Sequence, residues 1–522
     1  MNSTDSPDLN VIDPLLTLAA EDPDAPALRG PRNEERIELS RRDLIAGATA
    51  ATARFSEAGL VHGDRIVLVS PTCPEFLLEF FGAQAHGLTV VAANPLSTAR
   101  ELEYFINDSG ARLILSHPGC ADASEAAAAS TGITSRTIET LTPGSAAALP
   151  DGELSPVRRA GDETAALLYT SGTTGTPKGA MLTVDNLLTV GRVGGQISGA
   201  TSSDRFGTAL PLFHVFGLAS VSILALSAGA SITLLPRFHA ETLFDTLIED
   251  ELTVVAGVPT MWNALLQVES DRKPTSLRLA LSGGASIAVP IMRKFKERFD
   301  ATIAEGYGLT ETTAFGTFNP WNGRIVPGSV GLEVPSLDVR VKSLEGEPVP
   351  DNEVGEICIR GDLVMKGYWN NTSATEAAFD AEGFFRTGDL GYRDDDGYVY
   401  IVDRMKEMII HGGYNVYPRE VEEVLYEHPD VLEAAVIGAP DDYYGQNVTA
   451  IITPMPGTTP TAEAVEAFCR ESLAAYKIPR IIRFVDALPK GPTGKIRKLD
   501  IEVPAASGSS DGSPTKRTRT HP

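Results

Sequence analysis

The sequence is poor in cysteine and has no long apolar run. Its 522 residues include 4 cysteines, and Cys73, Cys120, Cys358 and Cys469 lie too far apart for a disulfide framework or a zinc site. Glycine and proline interrupt every apolar stretch before it could span a bilayer, and the first residues show no basic segment followed by an apolar one. We therefore expect a cytoplasmic protein with no integral membrane segment.

Basic residues are also scarce, with 44 Lys and Arg against 69 Asp and Glu and a formal net charge of −25. An evenly acidic chain gains nothing from releasing the counterions of a phosphate backbone, so we expect no nucleic acid partner. Residues 476–498 are an exception, because they contain seven basic residues and one acid. The positive charge of residues 476–498 is suited to binding small polyphosphates.

The hydrophobic pattern predicts an α/β fold. Short β-branched runs alternate with longer segments of helical period, as in layered sheets with buried strands. Residues 121–156 are rich in Ala, Ser, Thr and Gly, which indicates a surface helix and loop. Between 335 and 360 the pattern changes to strands separated by turn residues, an antiparallel β unit. The strands predicted for the large region are 65–70, 112–116, 165–169, 231–235 and 253–257.

A smaller α/β pattern follows residue 403. It predicts a helix at 418–428, strands at 433–438 and 448–453, and a helix at 462–475. The last residues are rich in Ser, Gly and Pro, which predicts disorder.

The segment 168–179 carries the strongest chemical signal. It follows a predicted strand, and its hydroxyl groups, glycines and lysine are the groups that bind phosphate oxygens at close approach. It is not a Walker loop, because Pro177 and not glycine precedes the lysine. A flexible linker is the alternative, but linkers rarely follow a buried strand directly. The residues concerned are Thr170, Ser171, Gly172, Thr173, Thr174, Gly175, Lys178 and Gly179.

This segment resembles the signature of the adenylate-forming superfamily, which includes acyl-CoA synthetases, the adenylation domains of peptide synthetases and beetle luciferases. Seven further matches occur in the family's order, so the resemblance extends from about residue 16 to 499. The matching segments are PLFHVFG at 211–217, SGGA at 282–285, EGYGLTET at 305–312, FRTGD at 385–389, VDRMK at 402–406, GGYN at 412–415 and PTGK at 492–495.

The resemblance implies a large N-terminal domain of layered α/β subdomains with a β unit, and a small mobile α+β C-terminal domain. We place these domains at 1–402 and 408–500, with a hinge at 403–407 that centres on Lys406 and a disordered tail at 501–522. The family rotates its small domain between two half-reactions.

Several of the matched residues suggest a nucleotide site. Tyr307 stands between Gly306 and Gly308, a shape suited to stacking on a purine, although a buried tyrosine beside a turn is equally consistent with the pattern. Glu311 would lie near the phosphates only if a cation lay between them, which implies Mg²⁺. The resemblance also implies that Thr310, Gly284 and Ala285 contact the nucleotide.

Other residues are assigned by motif position. Asp389 is placed like an acid that accepts from ribose hydroxyls, and Arg404 like a second nucleotide contact. Lys495 would reach into the site and neutralise charge during adenylation. The resemblance further implies that Gly412 and Gly413 line the route of the thiol, and that the substrate pocket includes His214, Gly283 and Gly306.

We therefore expect an acid–thiol ligase with catalytic residues Lys178, Thr310, Glu311 and Lys495, acting on a small carboxylic acid, ATP with Mg²⁺, and coenzyme A as co-substrate. A medium- or long-chain fatty acid is the first expectation and a coumarate- or benzoate-type acid the alternative. Ile410 stands where luciferase-like members carry a lysine, which disfavours oxygenation. An enzyme that loads a carrier protein and a nucleotide-binding pseudoenzyme are further alternatives. We expect a monomer or homodimer.

Overall fold

The computed structural model describes residues 9–31, 36–142, 153–170, 177–441 and 443–502. The described chain forms a large region and a small region, each with its own hydrophobic core. Core residues of the large region precede residue 400, and those of the small region lie between Ile409 and Ile501. The predicted fold class, a large α/β domain followed by a small domain, is confirmed.

Two sheets with mainly parallel strands form the large domain. The first has six strands, and all its neighbours are parallel except the hairpin that closes one edge. Its short, almost wholly buried strands explain the continuous apolar runs in the sequence. In spatial order the strands are Thr134–Thr137, Leu113–Ser116, Arg65–Val69, Thr89–Ala93, Thr164–Thr170 and Lys178–Thr183.

The second sheet has nine strands, of which the six central ones are parallel neighbours. Antiparallel strands cover both edges. The spatial order is Leu332–Glu333, Thr317–Phe318, Thr302–Tyr307, Leu279–Ser282, Val254–Gly257, Arg205–Thr208, Ser231–Leu234, Pro26–Arg29 and Glu38–Ser40.

The remaining two sheets are smaller. An antiparallel unit of four strands closes the large domain, and a five-stranded sheet forms the small domain. The strands of the first unit are Leu337–Lys342, Gly355–Gly361, Phe385–Arg393 and Val399–Arg404. Those of the small domain are Tyr414–Val416, Ile409–His411, Gly445–Pro454 and Val431–Asp441, with Ile481–Phe484 paired to Gly445–Pro454.

Helices cover the faces of these sheets, and several begin at capping residues. The side chains of Ser40, Thr98 and Thr183 each accept a hydrogen bond from the backbone three residues later, which satisfies a free N–H of the first turn. The α-helices are Asp13–Glu21, Arg41–Glu57, Pro74–His86, Ala99–Ser109, Ala121–Thr131, Val184–Ser198, Leu224–Ser227, Ala240–Glu249, Pro259–Leu265, Val289–Phe299, Thr372–Ala378, Pro418–Glu427 and Ala462–Ser472. A π-helix spans Phe216–Ile223, and 3₁₀ turns span Pro118–Cys120, Thr310–Thr312 and Lys498–Asp500.

The topology brings the predicted motifs together. Motif segments follow directly after three parallel strands of the nine-stranded sheet, namely Arg205–Thr208, Leu279–Ser282 and Thr302–Tyr307. The carboxyl ends of parallel strands meet at one edge of a sheet, and ligands of open α/β sheets bind there.

The predicted strands of both domains are present, with shifts of a few residues at their ends. The segment 121–156 contains a strand, Thr134–Thr137, that the sequence did not predict, and its residues 143–152 lie outside the described chain. The strand Val399–Arg404 continues into the predicted hinge because Arg404 pairs with Asp389. Ile501 is buried in the small domain's core, so ordered structure extends past the predicted start of the tail.

Within the described residues, no helix has the length and the apolar character needed to cross a membrane. The boundaries of the domains and of the hinge remain predictions.

Removing a ring from the large core should lower stability. Phe80 is fully buried and packs edge-on against Phe81, with ring centroids 5.5 Å apart. We expect Phe80→Ala to lower the free energy of unfolding by about 3–5 kcal/mol because it leaves a cavity. Urea denaturation followed by circular dichroism measures this, and Leu96→Ala is the control. Leu96 is 78% exposed. A comparable loss of unfolding free energy in Leu96→Ala would contradict the assignment of Phe80 to the core.

Candidate active site

A cavity of about 700 Å³ lies at the carboxyl ends of the parallel strands. The β unit forms one wall, and Thr493 and Lys495 of the small domain close another. A cavity of this size between domains, with polar groups converging on it, is the usual form of a substrate site.

Most of the predicted site residues line this cavity. Ala285, Tyr307, Gly412 and Gly413 do not line it. Ser171, Gly172, Thr173, Thr174 and Gly175 lie outside the described residues, so their predicted phosphate contacts remain predictions. The predicted residues that line the cavity are Thr170, Lys178, His214, Gly283, Gly284, Gly306, Thr310, Glu311, Asp389, Arg404, Lys406 and Lys495.

Glu311 is held by two hydroxyl groups. Its Oε1 accepts from the Tyr368 hydroxyl at 2.9 Å and from Thr170 Oγ1 at 3.4 Å. Both contacts use the same oxygen, and the carboxylate lines the cavity. One carboxylate together with substrate phosphates is a common donor set for Mg²⁺, so the residues present fit this ion, and Glu311 would hold it.

Tyr368 is a site residue that sequence reasoning missed. The loop around it joins the edge of the six-stranded sheet, where Trp369 N–H donates to the Gly179 carbonyl at 2.8 Å. Tyr368 also carries the Lys178 ammonium over its ring, 5.2 Å from the centroid. Its only sequence signal is the aromatic pair after Gly367, and only the fold brings that pair to the phosphate segment.

Asp389 organises the opposite side of the cavity. Its Oδ2 accepts from the Tyr307 hydroxyl at 2.6 Å, and its Oδ1 lies 3.1 Å from Arg404 Nε. This ion pair raises the pKa of the Arg404 guanidinium. A carboxylate has about four acceptor positions, so Asp389 retains sites for further hydroxyl groups. Tyr307 therefore positions Asp389.

Lys495 reaches the cavity from the small domain. Its loop is tied to the large domain where Thr260 Oγ1 donates to the Gly494 carbonyl at 2.8 Å, and a second link joins Asn263 Nδ2 to the Leu432 carbonyl at 2.8 Å. Burial, with repulsion from Arg404, lowers the pKa of the Lys495 ammonium to about 8. Lys495 is therefore a cation at neutral pH that gains by meeting an anion.

His214 is neutral. Burial, and then the charge of Lys495, lowers the pKa of its imidazole to about 4. Its Nδ1 accepts from the Phe216 backbone N–H at 3.2 Å, which places the ring proton on Nε2. His214 can therefore donate a hydrogen bond, but it carries no charge at neutral pH.

Two glycines of the site make room for aromatic rings. A Cβ at Gly306 would lie 2.7 Å from Cδ2 of Phe318, and one at Gly283 would lie 3.3 Å from the Phe216 ring. The rings of Phe216 and Phe318 fill the space beside these glycines and form walls of the cavity.

Family models match most of the chain. The model of the AMP-binding enzymes matches residues 16–369, and the model of their C-terminal domain matches residues 420–495. The chain therefore belongs to the AMP-binding enzymes. This finding confirms the membership of the adenylate-forming superfamily that the sequence motifs predict.

Individual relatives narrow the class. The chain is 36% identical to an oxalate–CoA ligase of Arabidopsis thaliana, over 93% of this chain and 96% of the relative. It is 34% identical to a long-chain-fatty-acid–CoA ligase of Bacillus subtilis, over 88% of this chain and 89% of the relative. These similarities confirm the predicted enzyme class, the AMP-forming acid–CoA ligases.

Solved structures agree with the fold. ATP-bound MatB from Rhodopseudomonas palustris superposes with a TM-score of 0.86 at 34% identity, over 94% of this chain and 98% of that one. The anthranilate CoA ligase AuaEII, in complex with anthranoyl-AMP, superposes with a TM-score of 0.87 at 29% identity. The match covers 95% of this chain and 97% of that one.

The pKa of Lys495 predicts the alkaline limb of the first half-reaction. A lowered pKa means that the cation is lost as the pH rises through about 8. We expect kcat/KM for ATP in pyrophosphate release to fall above that pH, because kcat/KM reports the free enzyme. In Lys495→Arg the guanidinium stays protonated, so whatever activity remains should lack this limb. If the unchanged enzyme and Lys495→Arg showed the same alkaline limb, the assignment of that limb to Lys495 would be wrong.

Proposed function

We propose that this chain is an ATP-dependent carboxylic acid–CoA ligase that forms an acyl-adenylate, releases pyrophosphate, and transfers the acyl group to coenzyme A. The observation that carries the proposal is the convergence of three groups on one cavity. They are a lysine supplied by the small domain, a carboxylate suited to a metal-bound triphosphate, and an aspartate with free acceptor sites.

In the first step, a carboxylate oxygen of the acid bonds to the α-phosphorus of ATP, and the bond from that phosphorus to the pyrophosphate oxygen breaks. Both reactants are anions, so the step needs cations at the reacting atoms. Lys495 supplies one at the carboxylate and α-phosphate, and Lys178 one at the other phosphates. Mg²⁺, when bound at Glu311, adds charge neutralisation. Asp389 accepts from the ribose hydroxyls.

In the second step, the thiol sulfur bonds to the acyl carbonyl carbon, AMP leaves with the electrons of the broken C–O bond, and the thiol proton is released. Lys495 occupies the side of the site that the thiol must reach, which supports a rotation of the small domain between the steps. The rotation would bring the turn at Gly412 and Gly413 toward the acyl group.

The small domain carries a surface suited to a nucleotide beside that turn. Tyr414 stacks on Tyr476 with centroids 4.8 Å apart, and Arg480 lies over the Tyr444 ring at 4.3 Å. Tyr443 beside them is 85% exposed. Stacking rings with adjacent cations bind bases and phosphates, which supports coenzyme A as the acceptor.

A second cavity, of about 1110 Å³, adjoins the first between the two domains. Pro211 and Thr493 border both cavities. After the proposed rotation, this space between the domains would serve as a route for the long arm of a thiol. Carrier protein loading remains the second candidate, because a carrier's phosphopantetheine arm could use the same route.

The acid itself is open between the fatty acids expected first and the aryl acids. The relatives are named for oxalate, sulfoacetate, feruloyl and fatty acyl substrates. Cytoplasmic location and a monomeric or dimeric state are parts of this proposal, and a role in fatty acid metabolism follows only if the acid is a fatty acid.

Incubation with ATP, Mg²⁺ and a panel of acids, with either coenzyme A or a loaded carrier protein, tests the proposal. Formation of CoA thioesters with stoichiometric AMP supports it. Acyl transfer only to the carrier would favour the second candidate, and no AMP release with any acid would contradict both.

Replacing Lys495 should separate the half-reactions. We expect Lys495→Ala to slow pyrophosphate release about a hundredfold or more, because an electrostatic contact to the transition state is lost. Thioester formation from supplied acyl-AMP should change little. Lys296→Ala, at a 54% exposed side chain outside the cavity, is the matched control. Equal loss of both half-reactions would refute the assigned role.

Restricting the predicted hinge should affect only the second step. Proline fixes φ near −65°, so Lys406→Pro should hinder the rotation while pyrophosphate release continues. Single-turnover assays of the two steps measure this. Normal thioester formation in Lys406→Pro would show that the small domain does not rotate about this residue.

A further inference from the structure

One end of the cavity, the acyl compartment, lies away from the phosphate-binding groups. It is bounded by the end of the helix Val184–Ser198, by the π-helix Phe216–Ile223 with Leu224, and by the residues that follow two parallel strands. The lining residues considered below are Ile197, Ser198, Phe216, Leu224 and Phe318.

Aromatic rings form two of its walls. A Cβ at Gly306 would lie 2.7 Å from the Phe318 ring and would displace it, whereas one at Gly283 would make a tight contact of 3.3 Å with the Phe216 ring. Both rings therefore occupy space beside a glycine that a side chain there would need. Such walls favour offset or edge-to-face contact with a further ring over contact with a flexible chain.

Packed side chains stand behind the far end of the acyl compartment, which is called its closed end below. Leu224 packs into Gly194, where a Cβ would lie 2.5 Å from Leu224 Cδ1. Behind Ser198, the Trp321 ring covers Gly199, where a Cβ would lie 2.1 Å from Cε2 of the ring.

An ion pair holds this closure in place. Arg278 lies over the Trp321 ring at 5.5 Å and donates to both carboxylate oxygens of Asp204 at 2.9 Å. It also donates to the carbonyl of Ser198 at 3.2 Å. Because the end of the helix is tied down in this way, an acyl chain cannot extend past Ile197 without breaking the ion pair or moving the indole.

Cationic side chains line the cavity only at its nucleotide side, among the described residues. They are Lys178, Arg386, Arg404, Lys406 and Lys495. Arg386 is already paired with Glu356 at 2.8 Å. A second anionic group on the acid would therefore be buried in the acyl compartment without a partner, which is strongly unfavourable.

We propose that the acid is a compact aromatic monocarboxylic acid of about one ring, with no charge at the end that enters the acyl compartment. This inference rests on the proposed ligase function and narrows its substrate. The closed end opposes long fatty acids, the missing cation opposes dicarboxylic and sulfonated acids, and the paired phenylalanine walls favour a ring.

Matched pairs of acids test each part with the full-length enzyme, ATP, Mg²⁺ and coenzyme A. We expect kcat/KM for AMP formation to be about a hundredfold higher with 4-methylbenzoate than with terephthalate, which has a similar shape but a second charge. Benzoate should exceed cyclohexanecarboxylate by about three- to tenfold because of ring contacts. Benzoate should also exceed dodecanoate and hexadecanoate.

A variant tests whether Leu224 limits acyl size. We expect Leu224→Ala to raise the kcat/KM ratio of 4-butylbenzoate to benzoate by about tenfold, since the removed methyl groups release space at the closed end. Leu226→Ala is the matched control, because Leu226 is equally buried but does not line the cavity. A ratio of two substrates within one variant is independent of how much enzyme is folded.

The outcomes separate the two proposals. Preference for hexadecanoate or for terephthalate, or an unchanged ratio in Leu224→Ala, would overturn the substrate inference while CoA thioester formation still supported the ligase. Absence of AMP formation with every acid would contradict the ligase function itself.

Discussion

The active site depends on a cation that one domain must place in a cavity built by the other. Lys495 belongs to the small domain, yet burial among large-domain residues and the nearby Arg404 lower the pKa of its ammonium. The residues that line the site therefore carry excess positive charge, which favours an anionic substrate. The contacts of Thr260 and Asn263 across the domain boundary are among those that bring these charges together.

Under the proposed mechanism, the two half-reactions make conflicting demands on this arrangement. Adenylation would need Lys495 against the reacting phosphate, whereas the thiol would need an open path to the acyl carbonyl. The small domain has a hydrophobic core of its own, which supports the proposed movement. The tyrosines beside Gly412 and Gly413 are exposed to solvent, and under the proposed rotation they would contact coenzyme A only in the second arrangement.

The sequence was sufficient for the fold class and for the positions of the strands that it predicted, because buried parallel strands have strong local patterns. It could not predict contacts made by tertiary packing. Tyr368 joins the site through an added sheet edge, Tyr307 holds Asp389, and the rings of Phe216 and Phe318 fill the space beside two glycines. These contacts depend on pairs of residues distant in sequence, for which no local period gives a signal. The closed end of the acyl compartment, through Arg278 and Trp321, is of the same kind.

Locking the two domains together measures the central claim most directly. A Cβ at Gly494 would lie 3.4 Å from Thr260 Oγ1, which is within the reach of a disulfide between cysteines at these two positions. Gly494 has a φ of +81°, so the single variant Gly494→Cys is the control for backbone strain. The oxidised double variant should release pyrophosphate with acid and ATP but form no CoA thioester, and reduction should restore the second step. If the oxidised protein made thioester at the rate of its reduced form, the account of a small domain that must leave the site would be wrong.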